Sequence, residues 1–350
     1  MPSAIIDLFC GVGGLTKGLE LADLNVIAGI DINETCRFAY ERNNQANFIT
    51  ADITNISIEE IDNLYPADTI KIMVGCAPCQ PFSKYTQRYR KEGHTDDKWR
   101  LLYSFLNIVQ HIQPQVVSME NVPELRNESV FQDFVTSLET LGYAVHWQIA
   151  YCPDYGVPQK RKRLVLLASL LGEIQLIPPL FNENNYLTVR DAIGDLPPIA
   201  SGQISEVDIM HRATRLSEIN LERIQHSIQG GTWKDWDERL KLKCHKKASG
   251  KSYGAVYGRM RWDQPSPTIT TQFYGYGNGR FGHPEQDRAI SYREGAILQS
   301  FPPDYEFIPN NGEIFSLRDL GIHIGNAVPV ELGHAIGVSI RQHLNEQGVD

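Results

Sequence analysis

Six short apolar runs, at residues 4–9, 26–30, 70–74, 116–119, 145–150 and 164–168, alternate with stretches of helical periodicity through the first half of the chain. Runs this short, bounded by turn-forming residues, read as strands, and the amphipathic stretches between them read as the crossovers that parallel strands require. Two of those stretches, 101–111 and 131–141, are followed by Pro114 and Gly142, residues that commonly end helices. The alternation predicts an α/β fold, a doubly wound and mostly parallel sheet covered by helices. After about residue 170 the rhythm stops. Residues 171–258 are irregular, with Pro178-Pro179, Pro197-Pro198 and Gly230-Gly231 marking loops, and a helical pattern returns at 329–344 with Pro329 in its first turn. The pattern divides the chain into a larger domain, 1–170 with 320–350 packing back on it, and a smaller irregular one over 171–319. A chain of 350 residues suits one large and one smaller domain.

The first predicted strand runs into Asp7-Leu8-Phe9-Cys10-Gly11-Val12-Gly13-Gly14 and then a helix through Leu21. Glycines at such a turn let a ligand approach the backbone and use the helix N-terminus. Gly11, Gly13 and Gly14 are bunched rather than spaced as G-x-G-x-x-G, which disfavours a dinucleotide. Asp31 closes the second strand about twenty residues on, where an acidic side chain usually takes ribose hydroxyls. Asp52 follows a further apolar run and is positioned to meet an adenine amine. These signals alone fit a generic nucleotide site or merely a tight turn.

The sequence Gly75-Cys76-Ala77-Pro78-Cys79-Gln80-Pro81-Phe82-Ser83 follows the third predicted strand, at the carboxyl edge of the sheet where ligands bind. Three readings compete. Cys76 and Cys79 could form a redox pair. They could supply half of a zinc site, though no second cysteine pair exists and Cys244-His245 is a distant partner. Cys79 could instead be a covalent nucleophile. Glu120 and Asn121, in Met119-Glu120-Asn121-Val122-Pro123, end the next strand and bring an acid beside Cys79. A redox pair has little use for that acid, whereas a thiolate adding to an activated ring needs a carboxyl to stabilise the adduct.

These segments resemble the ordered motifs of the DNA cytosine-C5 methyltransferases. So do Tyr155-Gly156-Val157-Pro158-Gln159-Lys160-Arg161-Lys162-Arg163, the run from Arg261 to Thr270, the run from Arg293 to Pro302, and Gly325-Asn326-Ala327-Val328-Pro329. The seven blocks stand in family order and span nearly the whole chain outside 171–258. The resemblance implies a Rossmann-like methyltransferase fold with a target-recognition domain, S-adenosylmethionine as methyl donor, and double-stranded DNA as partner, in restriction-modification or epigenetic marking. It implies that Cys79 attacks C6 of a cytosine while Glu120 holds N3, beside Asn121. C5 then takes the methyl group and loses its proton. Arg161 and Arg163 resemble the pair that anchors the base and steadies Glu120. Attack on C6 needs access to a face of the ring, which stacking covers within a duplex, so the cytosine must be extruded. Phe9, Asp31, Asp52, Pro78, Leu102 and Asn326 match cofactor-pocket positions. Gly11, Gly13, Gly14, Ile32, Ile53 and Val328 are assigned to the same pocket. The chain departs from the family in carrying Asp31 where Glu is commoner, Cys10 where a smaller residue is commoner, and Cys76 as an extra thiol. Both cysteines read as buried packing residues, with a Cys76–Cys79 disulfide as the alternative.

Net charge of −9 argues mildly against nucleic-acid binding, but a basic cleft can sit on an acidic body. The segment 83–100 carries Lys84, Arg88, Arg90, Lys91, Lys98 and Arg100 with Tyr85 and Tyr89, and 234–261 carries nine basic residues against three acidic ones. A solvated charged face is the bland reading of each. Beside the resemblance they read as DNA contacts, with Gln80, Ser83, Lys84, Arg88, Lys246, Lys247 and Arg259 the named candidates. A tRNA methyltransferase on the same scaffold is the nearest rival, but its Cys-Phe-Thr tripeptide does not occur here. A catalytically silent DNA-binding relative is countered by intact Cys79, Glu120 and Arg163. The six cysteines are scattered, which points to reduced thiols, and no segment approaches the roughly 18 apolar residues of a membrane span. The expectation is a cytoplasmic monomer, acting apart from any cognate endonuclease.

Overall fold

In the computed structural model, which describes residues 1–78, 99–247, 254–309 and 315–349, strand β1 (Ser3–Leu8) is buried along its whole length. A strand in the middle of a sheet covered on both faces has no solvent side, so its sequence is apolar on both faces apart from Ser3 and Asp7. Strands β2 (Val26–Asp31) and β3 (Asn47–Thr50) extend the sheet to one side of β1. Strands β4 (Ile70–Gly75), β5 (Val116–Asn121), β7 (Lys162–Ser169) and β6 (Ala144–Tyr151) extend it to the other, in the spatial order β3-β2-β1-β4-β5-β7-β6. The chain winds outward from β1 to β3, then crosses back to β4, so the order reverses between β1 and β4. Ligands bind at such reversals, beyond the carboxyl ends of the strands.

Strands β1 to β5 are parallel, and β7 is antiparallel to both its neighbours. The cause is local. Only the short turn Cys152–Tyr155 and a few residues separate β6 from β7, too few for a crossover helix, so the chain folds back as a hairpin. Each expected strand is present to within a residue or two. Strand β3 is an additional one. Its four residues, Asn-Phe-Ile-Thr, sit at the sheet edge with burial at only one position, which leaves little apolar pattern to detect.

Alternate residues of each strand feed opposite faces. Ile5, Ile72 and Val74 join Leu15 and Leu19 of helix α1 (Gly14–Leu21) and Ile336 and Ile340 of the long helix Val330–Glu346 on one side. Ile6, Met73 and Val117 join Phe105 of helix α2 (Arg100–Ile112) and Phe131 and Phe134 of α3 (Ser129–Thr140) on the other. The helix expected at 329–344 is Val330–Glu346, with Pro329 at its N-cap. It lies against α1 so closely that a methyl at Gly18 would come within 2.4 Å of the Gly333 carbonyl carbon. Among the described residues no helix is long and apolar enough to cross a membrane.

Beyond β7 a separate small core is formed by Ile224, Trp233, Trp236, Leu240, Tyr276 and Ala289. It is narrower than the stretch 171–319. Phe301, Tyr305 and Phe307 instead join the sheet's own core beside Tyr40 and Phe48, and the Tyr305 hydroxyl donates to Val12 O at 2.5 Å. Two short helices, Tyr292–Leu298 and Leu317–Asn326, carry the chain back from this region towards the reversal point.

Candidate active site

A cavity of about 650 Å³ opens at the reversal point, a volume within the range of small-molecule and cofactor sites. Its walls come from the residues following β1, β2, β4 and β5, from Arg161 and Arg163, and from the carboxyl end of Leu317–Asn326. One half is built on the glycine-rich turn. Phe9 adopts φ +59° at the cavity wall, a left-handed conformation that costs a non-glycine residue about 1–2 kcal/mol and that tertiary contacts must hold. The Gly11 amide donates to Asp31 Oδ2 at 2.9 Å, and the Asn33 amide donates to Oδ1 at 2.8 Å. Gly13, at φ +85°, caps α1. A side chain there would meet Asn44 Nδ2 at 2.4 Å, so the position requires glycine.

Beneath this turn lies Asp7, 1 % exposed. Its Oδ2 accepts from Thr16 Oγ1 at 2.7 Å, while Oδ1 has no hydrogen-bond partner and the residue lines the cavity. Burial, opposed by the Thr16 hydrogen bond and reinforced by the Asp31 charge, raises its carboxyl to about 7. An unpartnered buried carboxyl with a second acid near it fits a cationic ligand.

Of the residues expected to hold a cofactor, Phe9, Gly11, Asp31, Pro78, Asn326 and Val328 line the cavity. Others do not. Gly13 and Gly14 sit behind the wall, where a Cβ on Gly14 would strike Val328 O at 2.3 Å. Ile53 and Leu102 are buried in the core on the far face of the sheet, and Ile32 points to solvent at 67 % exposure. Asp52 is outside the lining too, its Oδ1 taken by the Thr54 amide and hydroxyl and its Oδ2 by Asn55. The cavity adds Asn33, Ile322 and His323, which sequence reasoning missed. His323 Nε2 lies 3.2 Å from Asn33 Nδ2 and 3.1 Å from Thr35 Oγ1. Only its proximity to Gly325-Asn326 could have flagged it.

The other half of the cavity centres on Glu120. Parallel pairing sets Gly75 opposite Met119 and antiparallel pairing sets Asn121 opposite Leu164. Cys76 therefore comes abreast of Glu120 on one side and Arg163 reaches it from the other. Glu120 is 2 % exposed. Its Oε1 is 2.7 Å from Arg163 Nε, an ion pair without hydrogen-bond alignment, and its Oε2 accepts from Cys76 Sγ at 2.7 Å. Cys76 was expected to be a packing residue. It is a hydrogen-bond donor to the acid. Asn121 acts on the backbone, its Nδ2 donating to Ala77 O at 3.0 Å.

Arg161 and Arg163 were expected to anchor the base and to steady Glu120, and in the structure only one of them pairs with Glu120. Arg163 makes the ion pair. Arg161, 3 % exposed, donates to Ile269 O at 3.0 Å, more weakly to Gln159, Gln299 and Gly325, and has no bond to Glu120. Burial, then the Arg163 charge, lowers it to about 9.

Cys79, Gln80, Ser83, Lys84, Tyr85, Arg88, Tyr89, Arg90, Lys91 and Lys98 lie outside the described residues, as does Lys251. Lys246 and Lys247 are exposed, with Lys246 3.4 Å from Glu238. Arg259 overturns its expectation. It is 5 % exposed, donates to Ile224, Ser227, His283 and Gln286 carbonyls, and pairs with Asp287. Its donors are spent on holding loops together, so it is not free to reach a phosphate.

The sequence matches the family of C-5 cytosine-specific DNA methylases over residues 3–342. It is 54 % identical over 347 residues to the Type II methylase M.HgiDII of Herpetosiphon aurantiacus, covering 98 % of this chain and 96 % of that one. It is 31 % identical to the Type II methyltransferase M1.HphI of Haemophilus parahaemolyticus, covering 99 % and 89 %. Among solved structures, an E. coli prophage protein described as a DNA modification methyltransferase superposes with a TM-score of 0.74, covering 98 % of this chain and 99 % of the other. At 20 % identity that likeness speaks to the fold alone.

Asp7 yields a test of the buried acid. Raised in the native state from 3.8 to about 7, it stabilises the fold fully only below about pH 4, and that stability is lost as pH rises through 7. Asp7→Asn can still accept from Thr16 but cannot ionise. The variant should gain on the wild type between pH 5 and pH 8 by about 1–3 kcal/mol in urea unfolding without ligand. A stability difference that is the same at both pH values contradicts the assignment.

Proposed function

The chain belongs to the C-5 cytosine-specific DNA methylases, and from that premise we propose that it methylates C5 of an extruded cytosine in a specific double-stranded DNA sequence, with S-adenosylmethionine as donor and Cys79 as nucleophile. The observation that carries the reading is the meeting of two chemistries in one cavity. The end lined by Asp7 and Asp31 suits a cation, and the end lined by Glu120 and Arg163 suits a polar heterocycle. When bound, S-adenosylmethionine supplies an electrophilic methyl on a sulfonium. Phe9, the Gly11 backbone, Asp31, Asn326 and Val328 would hold it, with Asp7 as counter-charge.

Glu120 engages the N3 edge of the base, and Arg163 fixes its carboxyl group. Asn121 holds the backbone at Ala77, two residues before the nucleophile. The Cys79 thiolate forms a bond to C6, and electron density moves to C5, which takes the methyl group. Loss of the C5 proton and cleavage of the C6–sulfur bond then restore the ring and the enzyme. Addition to C6 needs an open face of the ring, which stacked neighbours cover in a duplex, and this supports extrusion.

Within residues 171–319 the region around the Trp233 and Trp236 core reads the target sequence, and exposed Lys246 and Lys247 contact phosphates. The two Type II relatives support a restriction-modification setting; within it we infer a cytoplasmic monomer that acts apart from any cognate endonuclease.

Cys79→Ser should abolish methyl transfer while S-adenosylmethionine binding, followed by calorimetry, persists, because an alcohol is too weakly acidic to supply the nucleophile. DNA carrying 5-fluorocytosine should trap the wild type covalently at Cys79. A crosslink recovered at another residue, or turnover in the serine variant, refutes the role.

Replacing Lys246 and Lys247 together by Gln should weaken binding to every DNA sequence alike and flatten the salt dependence by about one to two units of log–log slope. An unchanged slope in a filter-binding salt series removes both lysines from the DNA face.

A further inference from the structure

Glu120 is enclosed at the end of a central strand, and a buried carboxylate must be supplied with donors or it costs several kcal/mol (order of magnitude). Arg163 provides opposite charge to Oε1, but its N–H is not aligned on that oxygen. Among the described residues, the side chain that donates a hydrogen bond to Glu120 is Cys76, to Oε2 at 2.7 Å. Strand register builds this contact. Gly75 pairs with Met119, the Cys76 amide continues the sheet by donating to Leu8 O at 3.3 Å, and the next residue on each strand faces its neighbour.

We propose that Cys76 is a positioning residue for methyl transfer, its thiol holding Oε2 of Glu120 while Arg163 holds the Oε1 side, so that the carboxyl group is presented to the base in one orientation. The inference rests on the reading of Glu120 as the group that engages the cytosine. Three observations support it. Cys76 lines the same cavity as Glu120 and Arg163. Its thiol faces a carboxylate rather than apolar side chains alone. Burial, then the Glu120 charge, pushes the thiol well above its usual range, so it remains protonated and keeps its role as donor. The same protonation makes Cys76 a poor nucleophile, which separates its duty from that of Cys79.

A carboxylate held on one side only can rotate about its final bond, and misorientation of a catalytic group lowers the rate without weakening ligand binding. The test uses the full chain, sheared unmethylated genomic DNA, and S-adenosylmethionine labelled in the methyl group, and reads the single-turnover rate constant beside cofactor and DNA affinities. Cys76→Ala and Cys76→Val each remove the donor, and valine keeps the volume. Both should slow the single turnover by about ten- to a hundredfold, the effect of losing one hydrogen bond to a charged group. Both affinities should stay within about threefold of wild type. Cys76→Ser retains a donor and should recover most of the rate.

Wild-type rates in the alanine and valine variants overturn the proposal. So does a serine variant as slow as alanine, or a rate lost in step with melting temperature across all three, since packing alone would then explain the effect. Glu120→Gln distinguishes the two levels of the argument. Full activity in that variant removes the reading of Glu120 itself. An inactive Glu120→Gln beside a fully active Cys76→Ala removes only the positioning role.

Discussion

A carboxylate at 2 % exposure, closing a central strand, is the constraint around which this structure is arranged. Glu120 is almost wholly withdrawn from solvent there, and an isolated buried charge of that kind costs several kcal/mol, to order of magnitude. The neighbours that offset this cost arrive by sheet register. Strand β4 delivers Cys76 and strand β7 delivers Arg163. The reversed direction of β7 matters, because its amino end then lies beside the carboxyl end of β5. A parallel strand in that place would put Arg163 at the opposite edge of the sheet.

A second buried charge joins the parts of the chain. Arg161 has carbonyl and amide oxygens for partners, drawn from residues 159, 269, 299 and 325. Gln159 and Gln299 complete the web. The Gln159 side chain donates to Gln299 Oε1 at 2.8 Å and accepts from the Ile269 amide at 2.8 Å, while Gln299 donates to Ile324 O at 2.7 Å. Segments far apart in sequence thus meet at the wall of the cavity that Glu120 also lines. Removing any one of these groups leaves others unsatisfied, so the web acts as a unit. The same segments deliver His323, Asn326 and Val328 to the half of the cavity lined by Asp7 and Asp31. Both halves of the site are therefore fixed by one polar network and one sheet.

Much of this was legible in the sequence, for physical reasons that differ between residues. Short apolar runs separated by helical periodicity dictate the sheet, and a glycine-rich turn after β1 marks the ligand edge. Asp31 and Glu120 could be located because they end strands, where register alone brings them to the cavity. The failures have a common cause. Arg259 sits in a basic stretch and reads as a DNA contact, yet its partners are carbonyls at 224, 227, 283 and 286, which no local pattern announces. Arg161 and Arg163 look equivalent two residues apart, and distant segments decide that one is a strut and the other an ion-pair partner. Cys76 reads as an incidental thiol until strand pairing brings it beside Glu120. Ile53 and Leu102 carry the family pattern but face the core. Local chemistry is readable from a chain, whereas the partners of a buried polar group depend on the fold.

In the proposed reaction one cavity presents a cytosine ring to Glu120 at one end and a methyl donor at the other. The most direct measurement is chemical. The purified chain is incubated with unmethylated duplex DNA and methyl-labelled S-adenosylmethionine, and the DNA is digested to nucleosides and resolved by mass spectrometry. The label should appear in 5-methyl-2′-deoxycytidine alone. Label on an exocyclic nitrogen of cytosine or adenine, or no transfer to DNA by a folded protein that binds the donor, would contradict the account.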